Sequence, residues 1–217
     1  MKSLLEKTRE INQIIQKAAG HPISFAEMAD TLCRNIHSNI YIIGRKGKVL
    51  GYCFMDNFYC PTMEEIVKQE AHFPEQYNED LLRTQEIKVN IDRHNQCVFS
   101  TETACILPQK FTTVIPIVGG GQRLGTLMLS KSGEFDDNDL ILAEYGATVI
   151  GMEILRAKVE KVEEISRQKA VVGVAFDTLS YSELEAVEHI FKELGDTNGL
   201  LVASKVADKV GITRSVI

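Results

Sequence analysis

FTTVIPIVGGGQRLGTLMLSK, residues 111–131, contains two apolar runs on either side of three glycines. Apolar runs that flank a glycine turn predict two antiparallel strands joined as a hairpin. NIYIIG (39–44) and VLGYCF (49–54) lie on either side of the turn RKGK and predict a second hairpin. Together the two hairpins predict an antiparallel sheet at the centre of the fold.

Helical patterns surround these hairpins. Amphipathic spacing predicts helices over about 4–15 and 25–36, and a polar, helix-like stretch runs from Met63 to about Leu82. QCVFS (96–100) predicts a further strand. The helix-like stretch from Met63 to about Leu82, called the excursion below, interrupts the series of strands. Helices, a five- or six-stranded antiparallel sheet and this internal excursion predict an α+β sensor domain of the PAS/GAF kind.

A long helix is predicted next, because acidic residues at 136–139 precede an apolar pattern with later Lys and Arg. Its apolar positions step by alternating threes and fours, as in a coiled-coil seam. The seam consists of Tyr145, Thr148, Met152, Leu155, Val159, Val162 and Ser166. We expect this helix to join a sensor to a reader module and to pair with a second copy, while its first half packs on its own sheet.

The C-terminal residues have the spacing of a helix-turn-helix. Ala207 is small where two helices would cross, Gly211 would make the turn, and Thr213 is a candidate N-cap. The candidate DNA-binding residues are Ala203, Ser204, Lys205, Val206, Ala207, Asp208, Lys209, Val210, Gly211, Ile212, Thr213, Arg214, Ser215, Val216 and Ile217. Because the second helix has barely begun at Ile217, we expect the chain to be truncated.

Charge and composition restrict the class of protein. The net charge of −6 argues against a coat that binds nucleic acid over its whole surface, but Lys205, Lys209 and Arg214 give the C-terminal segment a local basic character. No apolar run approaches the ~20 residues that span a bilayer. The five cysteines form no CxxC pair, so we expect reduced thiols in the cytosol.

No catalytic motif stands out, so we expect no enzyme activity. VGGGQRLGTL could cradle a phosphate, but it lacks the Gly-Lys-Ser/Thr ending and precedes a strand, which favours a hairpin turn. A metal site at His94, Cys97 and Cys105 is a weaker alternative, since the spacing matches no tetrahedral pattern well.

An aromatic and apolar cluster lies on the excursion beside the sheet. Its members are Phe58, Tyr59, Met63, Ile66, Phe73, Pro74 and Tyr77, with Phe99 opposite. Such a cluster is ordinary core in most proteins, but in a sensor fold the same place commonly encloses a small ligand.

Five stretches resemble the CodY family, the nutrient-sensing transcriptional repressors of Gram-positive bacteria. They are LLEKTREINQIIQKAAG, FTTVIPIVGGGQRLGTLMLS, FDDNDLILAEYGATVIGMEILR, LSYSELEAVEHIF and GLLVASKVADKVGITRSVI. The resemblance implies a GAF effector domain over 1–138, a linker and dimerisation helix over 139–178, and an incomplete winged helix-turn-helix over 179–217. It further implies isoleucine, leucine and valine as effectors, a response to GTP, and DNA binding as a homodimer.

Carried over by position, the resemblance implies an effector site. Its residues are Thr62, Met63, Ile66, Phe73, Pro74, Tyr77, Cys97, Phe99 and Thr101. At the position of Thr62 the best-studied family members have an arginine that pairs with the effector carboxylate, and the region between Met63 and Phe73 is one residue longer here.

These observations predict a metabolite-responsive, dimeric transcriptional repressor. One alternative is a metabolite-binding dimer that regulates through protein contacts, which the acidic charge permits. A weaker alternative is a nucleotide-processing enzyme built on the glycine turn.

Overall fold

The computed structural model describes residues 2–18, 21–56, 58, 60–92, 97, 99, 105, 107 and 109–194. Its helices are α1 (Leu4–Ala18), α2 (Phe25–Ile36), α3 (Pro61–Glu65), α4 (Glu75–Arg83), α5 (Asp137–Asp177) and α6 (Tyr181–Leu194). Its strands are β1 (Asn39–Gly44), β2 (Val49–Cys53), β3 (Lys88–Asp92), β4 (Lys110–Gly119) and β5 (Gln122–Ser132).

The five strands form one antiparallel sheet in the order β2-β1-β5-β4-β3. The long hairpin β4–β5 occupies the centre and closes with Gly119 paired to Gln122. Gly120 and Gly121 make the two-residue turn with φ angles of 56° and 71°. Such a turn needs positive φ at both positions, which glycine adopts without steric cost. The hairpins and the antiparallel sheet predicted from the sequence are therefore confirmed.

Alternation along the strands gives the sheet two apolar faces. One face packs against α1, α2 and the first half of α5. The buried strand residues in this core are Ile40, Ile42, Ile115, Ile117, Leu124, Leu127 and Leu129. The opposite face carries Tyr41, Ile43, Val114 and Met128 and is covered by the segment from α3 to α4. This second face holds the candidate site.

Helix α5 has 41 residues and is about 60 Å long at 1.5 Å per residue. Its first half packs on the sheet through Leu142, Ala147 and Ile150, as the sequence predicted. Buried Glu153 accepts a hydrogen bond from the backbone N–H of Ile23 at 3.1 Å and pairs with Arg156. Further along, the seam residues are at least one third exposed: Met152, Leu155, Val159 and Val162.

The segment over the second face is not one helix. Helix α3 continues directly into a π-helical turn, Ile66–Glu70, which ends at Ala71 in the left-handed conformation (φ 51°). The Ala71 carbonyl accepts from the N–H of Val49 at 2.9 Å, and the Phe73 N–H donates to the Gly47 carbonyl at 2.8 Å. These bonds tie the break to the β1–β2 hairpin. The helix predicted from Met63 to Leu82 is therefore interrupted at residues 71–74.

The strand prediction at 96–100 does not hold at the positions that the structure describes. Cys97 and Phe99 lie in irregular structure rather than in a strand. The fifth strand is instead β3, an edge strand whose register with β4 shifts between Lys88 and Ile91. Asn90 adopts a positive φ of 51° at this irregularity. Strand β3 is short and lies at the exposed edge of the sheet. Both features weaken the alternation of apolar and polar residues by which a strand is recognised in a sequence.

Contacts divide the chain into two units, Met1–Lys158 and Val159–Ile217. In the second unit, Phe176 at the end of α5 contacts Phe191 of α6 edge-to-face, with ring centroids 6.4 Å apart. The predicted helix-turn-helix, 203–217, lies outside the described residues, and the domain boundaries 1–138, 139–178 and 179–217 stay predictions. Among the described helices, none combines the length and apolar character needed to cross a membrane. All five cysteines are unpaired thiols.

Candidate effector site

The second face of the sheet and the α3–α4 segment enclose an aromatic core. Phe73 is fully buried at its centre and contacts the rings of Tyr41 (centroids 6.3 Å apart) and Tyr77 (5.8 Å). Met63, Ile66 and Leu81 fill the remaining space. Phe73 reaches this position because Ala71 and Pro74 reverse the chain between the π-helical turn and α4.

An outer cavity of about 480 Å³ opens between α3, the π-helical turn and α4. Its lining residues are Thr62, Glu65, Ile66, Glu70, Pro74, Gln76, Tyr77, Asp80 and Phe99. The volume lies in the range of about 300–1,000 Å³ typical of small-molecule sites. Three of the lining side chains are carboxylates, and none of those described is basic, so the outer cavity favours the positive end of a ligand.

A smaller inner cavity lies deeper, against the sheet. Its lining residues are Tyr41, Met63, Tyr77, Phe99, Leu107, Lys110, Thr112, Met128 and Ser130. Its volume of about 10 Å³ admits one water molecule at most. Tyr77 and Phe99 border both cavities and pack edge-to-face with ring centroids 5.1 Å apart. These two rings therefore form the wall between the cavities.

Five polar residues form a strip on this sheet face: Asn39, Tyr41, Lys110, Thr112 and Ser130. Ser130 pairs with Asn39 of β1 and with Thr112 of β4, and Lys110 lies two residues before Thr112 on the same face. Asn39 Nδ2 donates to the Tyr41 hydroxyl at 3.4 Å. Burial raises the pKa of Tyr41, outweighing the opposing effects of Asn39 and Ser130, so the phenol stays protonated.

Asn39 anchors the loop that leads into α3. Its Oδ1 accepts from the N–H of Met55 at 2.7 Å, and its Nδ2 donates to the carbonyl of Phe58 at 2.7 Å. The Asn39 side chain is fully buried. Two loop backbone groups therefore depend on this one amide for their hydrogen bonds, and the loop in turn sets where the cavity-lining residues of α3 begin.

Asn39→Ala should destabilise the first unit by about 2–4 kcal/mol, because two largely buried backbone groups lose their partner. Urea unfolding followed by circular dichroism measures the change. The exposed Asn138→Ala is the matched control and should stay within about 0.5 kcal/mol of wild type. An Asn39→Ala curve that overlays the wild-type curve contradicts the anchoring role.

Arg123 fixes α4 against the sheet. Its guanidinium donates to the carbonyls of Thr84 (2.6 Å) and Leu81 (3.3 Å) at the end of α4, and to Thr126 Oγ1 (2.8 Å) in β5. A cation at a helix C-terminus is favourable because the last carbonyls carry partial negative charge. Burial lowers the pKa of Arg123. Arg123 thus positions α4, which carries Tyr77 into the wall between the cavities.

The structure brings most of the predicted effector residues together. Thr62, Ile66, Pro74, Tyr77 and Phe99 line the outer cavity, and Met63 lines the inner one. Phe73 packs in the core behind them, while half-buried Cys97 lines neither cavity.

Three predicted sites fall partly or wholly outside the described residues. Thr101 and residues 203–217 lie outside them, as does His94 of the alternative metal site. Within the described part of the chain, no group of three His, Cys, Asp or Glu side chains could hold a metal ion.

Sequence reasoning missed the polar strip and the outer carboxylates. The missed lining residues are Tyr41, Glu65, Glu70, Gln76, Asp80, Leu107, Lys110, Thr112, Met128 and Ser130. Thr112 and Ser130 interrupt strands at positions that face the core, and this signal could have pointed to a polar patch.

Comparison with known proteins identifies the family. The model for the CodY GAF-like domain matches residues 3–178. The global transcriptional regulator CodY of Clostridium kluyveri is 54% identical over 218 residues, which cover 100% of this chain and 84% of the relative.

Two solved structures are similar to this chain. The cofactor-binding GAF domain of the nutrient sensor CodY from Clostridium difficile is 37% identical, with 71% of this chain and 99% of that chain covered and a TM-score of 0.49. The GAF domain of a phosphoenolpyruvate-protein phosphotransferase from Coxiella burnetii is 13% identical, with 74% and 99% covered and a TM-score of 0.51, and it shares the fold. Because the family model matches most of the chain and the Clostridium kluyveri regulator aligns along all of it, this chain belongs to the CodY family of global transcriptional regulators.

Proposed function

We propose that this protein is a DNA-binding transcriptional repressor that senses isoleucine, leucine and valine through the outer cavity. The observation that carries the proposal is a cavity of ligand size, about 480 Å³, between α3, the π-helical turn and α4 of a GAF fold whose family consists of transcriptional regulators. The genes that it controls are those of amino-acid metabolism and stationary phase.

The cavity walls favour a branched aliphatic amino acid. Ile66, Pro74 and Phe99 supply apolar surface in the outer cavity. Each buried CH₂ of a ligand contributes about 0.8 kcal/mol of affinity. The carboxylates of Glu65 and Glu70 attract the ammonium group and repel acidic side chains.

DNA binding falls to residues 203–217 in a homodimer. Effector binding between α3–α4 and the sheet shifts the population of conformers, and α5 carries this shift toward the DNA-binding residues. GTP is a second proposed effector. The glycine turn at 119–122 joins two strands rather than a strand and a helix, so GTP binds elsewhere.

Isoleucine should strengthen promoter binding by about 5- to 150-fold, the usual range of allosteric coupling. Fluorescence anisotropy of labelled promoter DNA, titrated with the protein of the complete gene, measures this. Glutamate is the control ligand, because its side chain carries the charge that the outer cavity repels.

The alternative of regulation through protein contacts has a different outcome. In that case the protein binds isoleucine in calorimetry, yet its affinity for promoter DNA stays at the level of unrelated DNA with and without isoleucine. Equal affinity for promoter and unrelated DNA under both conditions would overturn the proposed function.

A further inference from the structure

The outer cavity combines an acidic rim with an apolar base. Glu65 ends α3, Glu70 ends the π-helical turn and Asp80 lies in α4, and all three side chains are exposed. Ile66 lines the same cavity and is buried. A ligand therefore meets negative charge where the cavity opens to solvent and apolar surface further in.

Two of the rim carboxylates are available to a ligand. Neither Glu65 nor Glu70 forms an ion pair or a side-chain hydrogen bond with a residue that the structure describes. Asp80, by contrast, accepts a hydrogen bond from Arg83 Nη1 at 3.2 Å. Two carboxylates that border one cavity attract a cation more strongly than one does, because their Coulomb energies add.

A branched aliphatic amino acid fits this cavity in one orientation. Its side chain is stabilised by contact with the apolar groups of Ile66, Pro74 and Phe99. Its ammonium group then lies toward Glu65 and Glu70. Its carboxylate stays in water at the open rim, because burying it unpaired is costly and the rim carboxylates repel it.

We propose that Glu65 and Glu70 bind the ammonium group of the effector and determine which class of compound the cavity accepts. This assignment rests on the proposed function and specifies which end of the amino acid is recognised. The accepted class is a branched aliphatic compound with a free ammonium group, whether its carboxyl end is free or blocked as an amide. Compounds with the same side chain and carboxylate but no ammonium bind more weakly. The cavity therefore distinguishes an amino acid from the 2-oxo acid that amino-group transfer converts into it.

Titration calorimetry with three matched ligands tests the proposal. Isoleucine carries both charges, isoleucinamide only the positive one, and 2-hydroxy-3-methylpentanoate only the negative one. At about pH 6.5 the ammonium of isoleucinamide is charged, because α-amino groups ordinarily have a pKa of about 8. The wild type should bind isoleucinamide about 2- to 10-fold more tightly than isoleucine, and the hydroxy acid about 2- to 30-fold more weakly, as expected for two exposed charge interactions.

The variant Glu65→Gln with Glu70→Gln removes both charges and keeps the size of the side chains. It should bind isoleucine about 2- to 30-fold more weakly than the wild type and lose most of the preference for isoleucinamide. Glu86→Gln with Glu134→Gln is the matched control, because both residues are exposed, neither lines the cavity, and the change in net charge is the same. The control should bind all three ligands as the wild type does.

Ionic strength provides a second measurement that needs no variant. Raising it from about 0.01 M to about 1 M shortens the Debye length from about 30 Å to about 3 Å. The preference of the wild type for isoleucinamide over isoleucine should therefore shrink as salt is added. A preference that stays constant over this range contradicts electrostatic selection at the rim.

The remaining outcomes separate the effectors from the two glutamates. Tighter binding of isoleucine than of isoleucinamide by the wild type, or unchanged isoleucine binding by the Glu65→Gln, Glu70→Gln variant, overturns the role of the glutamates and leaves the proposed effectors standing. An equal loss of all three ligands in that variant shows a structural role only and also overturns it. No binding of isoleucine, leucine or valine to the wild type overturns the proposed effectors together with the role of the glutamates.

Discussion

Gly125→Ala should unfold the first unit at temperatures where the wild type is folded. Gly125 lies in β5 at the centre of the sheet, opposite Gly44 of β1 and Ile117 of β4. A Cβ at this position would come within 2.2 Å of the carbonyl oxygen of Ile43. That oxygen belongs to the backbone, so relief requires β1 and β5 to separate. We expect a loss of about 4 kcal/mol or more, beyond the usual range for one substitution.

Thermal unfolding followed by circular dichroism measures this loss, with each kcal/mol lowering the midpoint by about 2–4 °C in a chain of this size. Gly173→Ala is the matched control, because nothing lies within 4 Å of its added Cβ in α5. A helical alanine should leave stability unchanged or raise it by up to about 1 kcal/mol. If Gly125→Ala melts with the wild type, the close approach of β1 and β5 does not constrain the sheet.

Val159→Asp with Val162→Asp should convert the proposed dimer into monomers. Both valines lie on the seam of α5, and they are 50% and 63% exposed in the single chain. An apolar seam at this spacing buries its side chains against a second helix. Two carboxylates in each chain would face one another there without partners, which costs several kcal/mol. Sedimentation equilibrium measures the change in mass.

Ala157→Asp with Gln168→Asp is the control for added charge. These exposed positions lie on the same helix but off the seam, so the two-aspartate variant should keep the wild-type mass. Should the seam variant also keep that mass, the dimer interface lies on another surface. Isoleucine calorimetry on the seam variant then shows whether the first unit remains intact.

The sequence predicted those parts of the fold that local chemistry determines. The glycine turns at 45–48 and 119–122 and their apolar flanks identified four of the five strands, because a hairpin brings sequence neighbours together. Residues 96–100 are wrongly predicted as a strand, and β3 is not predicted. A short edge strand with a shifted register is specified by its partner β4 rather than by its own sequence pattern.

The candidate site was predicted in part for the same reason. Residues of the excursion, such as Ile66 and Tyr77, stood out as an apolar cluster within one stretch of chain. Tyr41, Lys110 and Ser130 come from three strands and meet only through the register of the sheet. Such a juxtaposition needs the strand order, which one sequence does not contain.

At the π-helical turn, Ile66–Glu70, the chain can gain or lose a residue during evolution. An extra residue in a regular α-helix rotates everything beyond it by about 100°. A π-helical turn absorbs that residue in one wide loop, so the flanking side chains keep their directions. Insertions and deletions here can therefore reshape the rim of the cavity while Met63 and Phe73 stay in the core. A related protein can thus change its ligand specificity by the insertion or deletion of one residue here, while the rest of the domain keeps its structure.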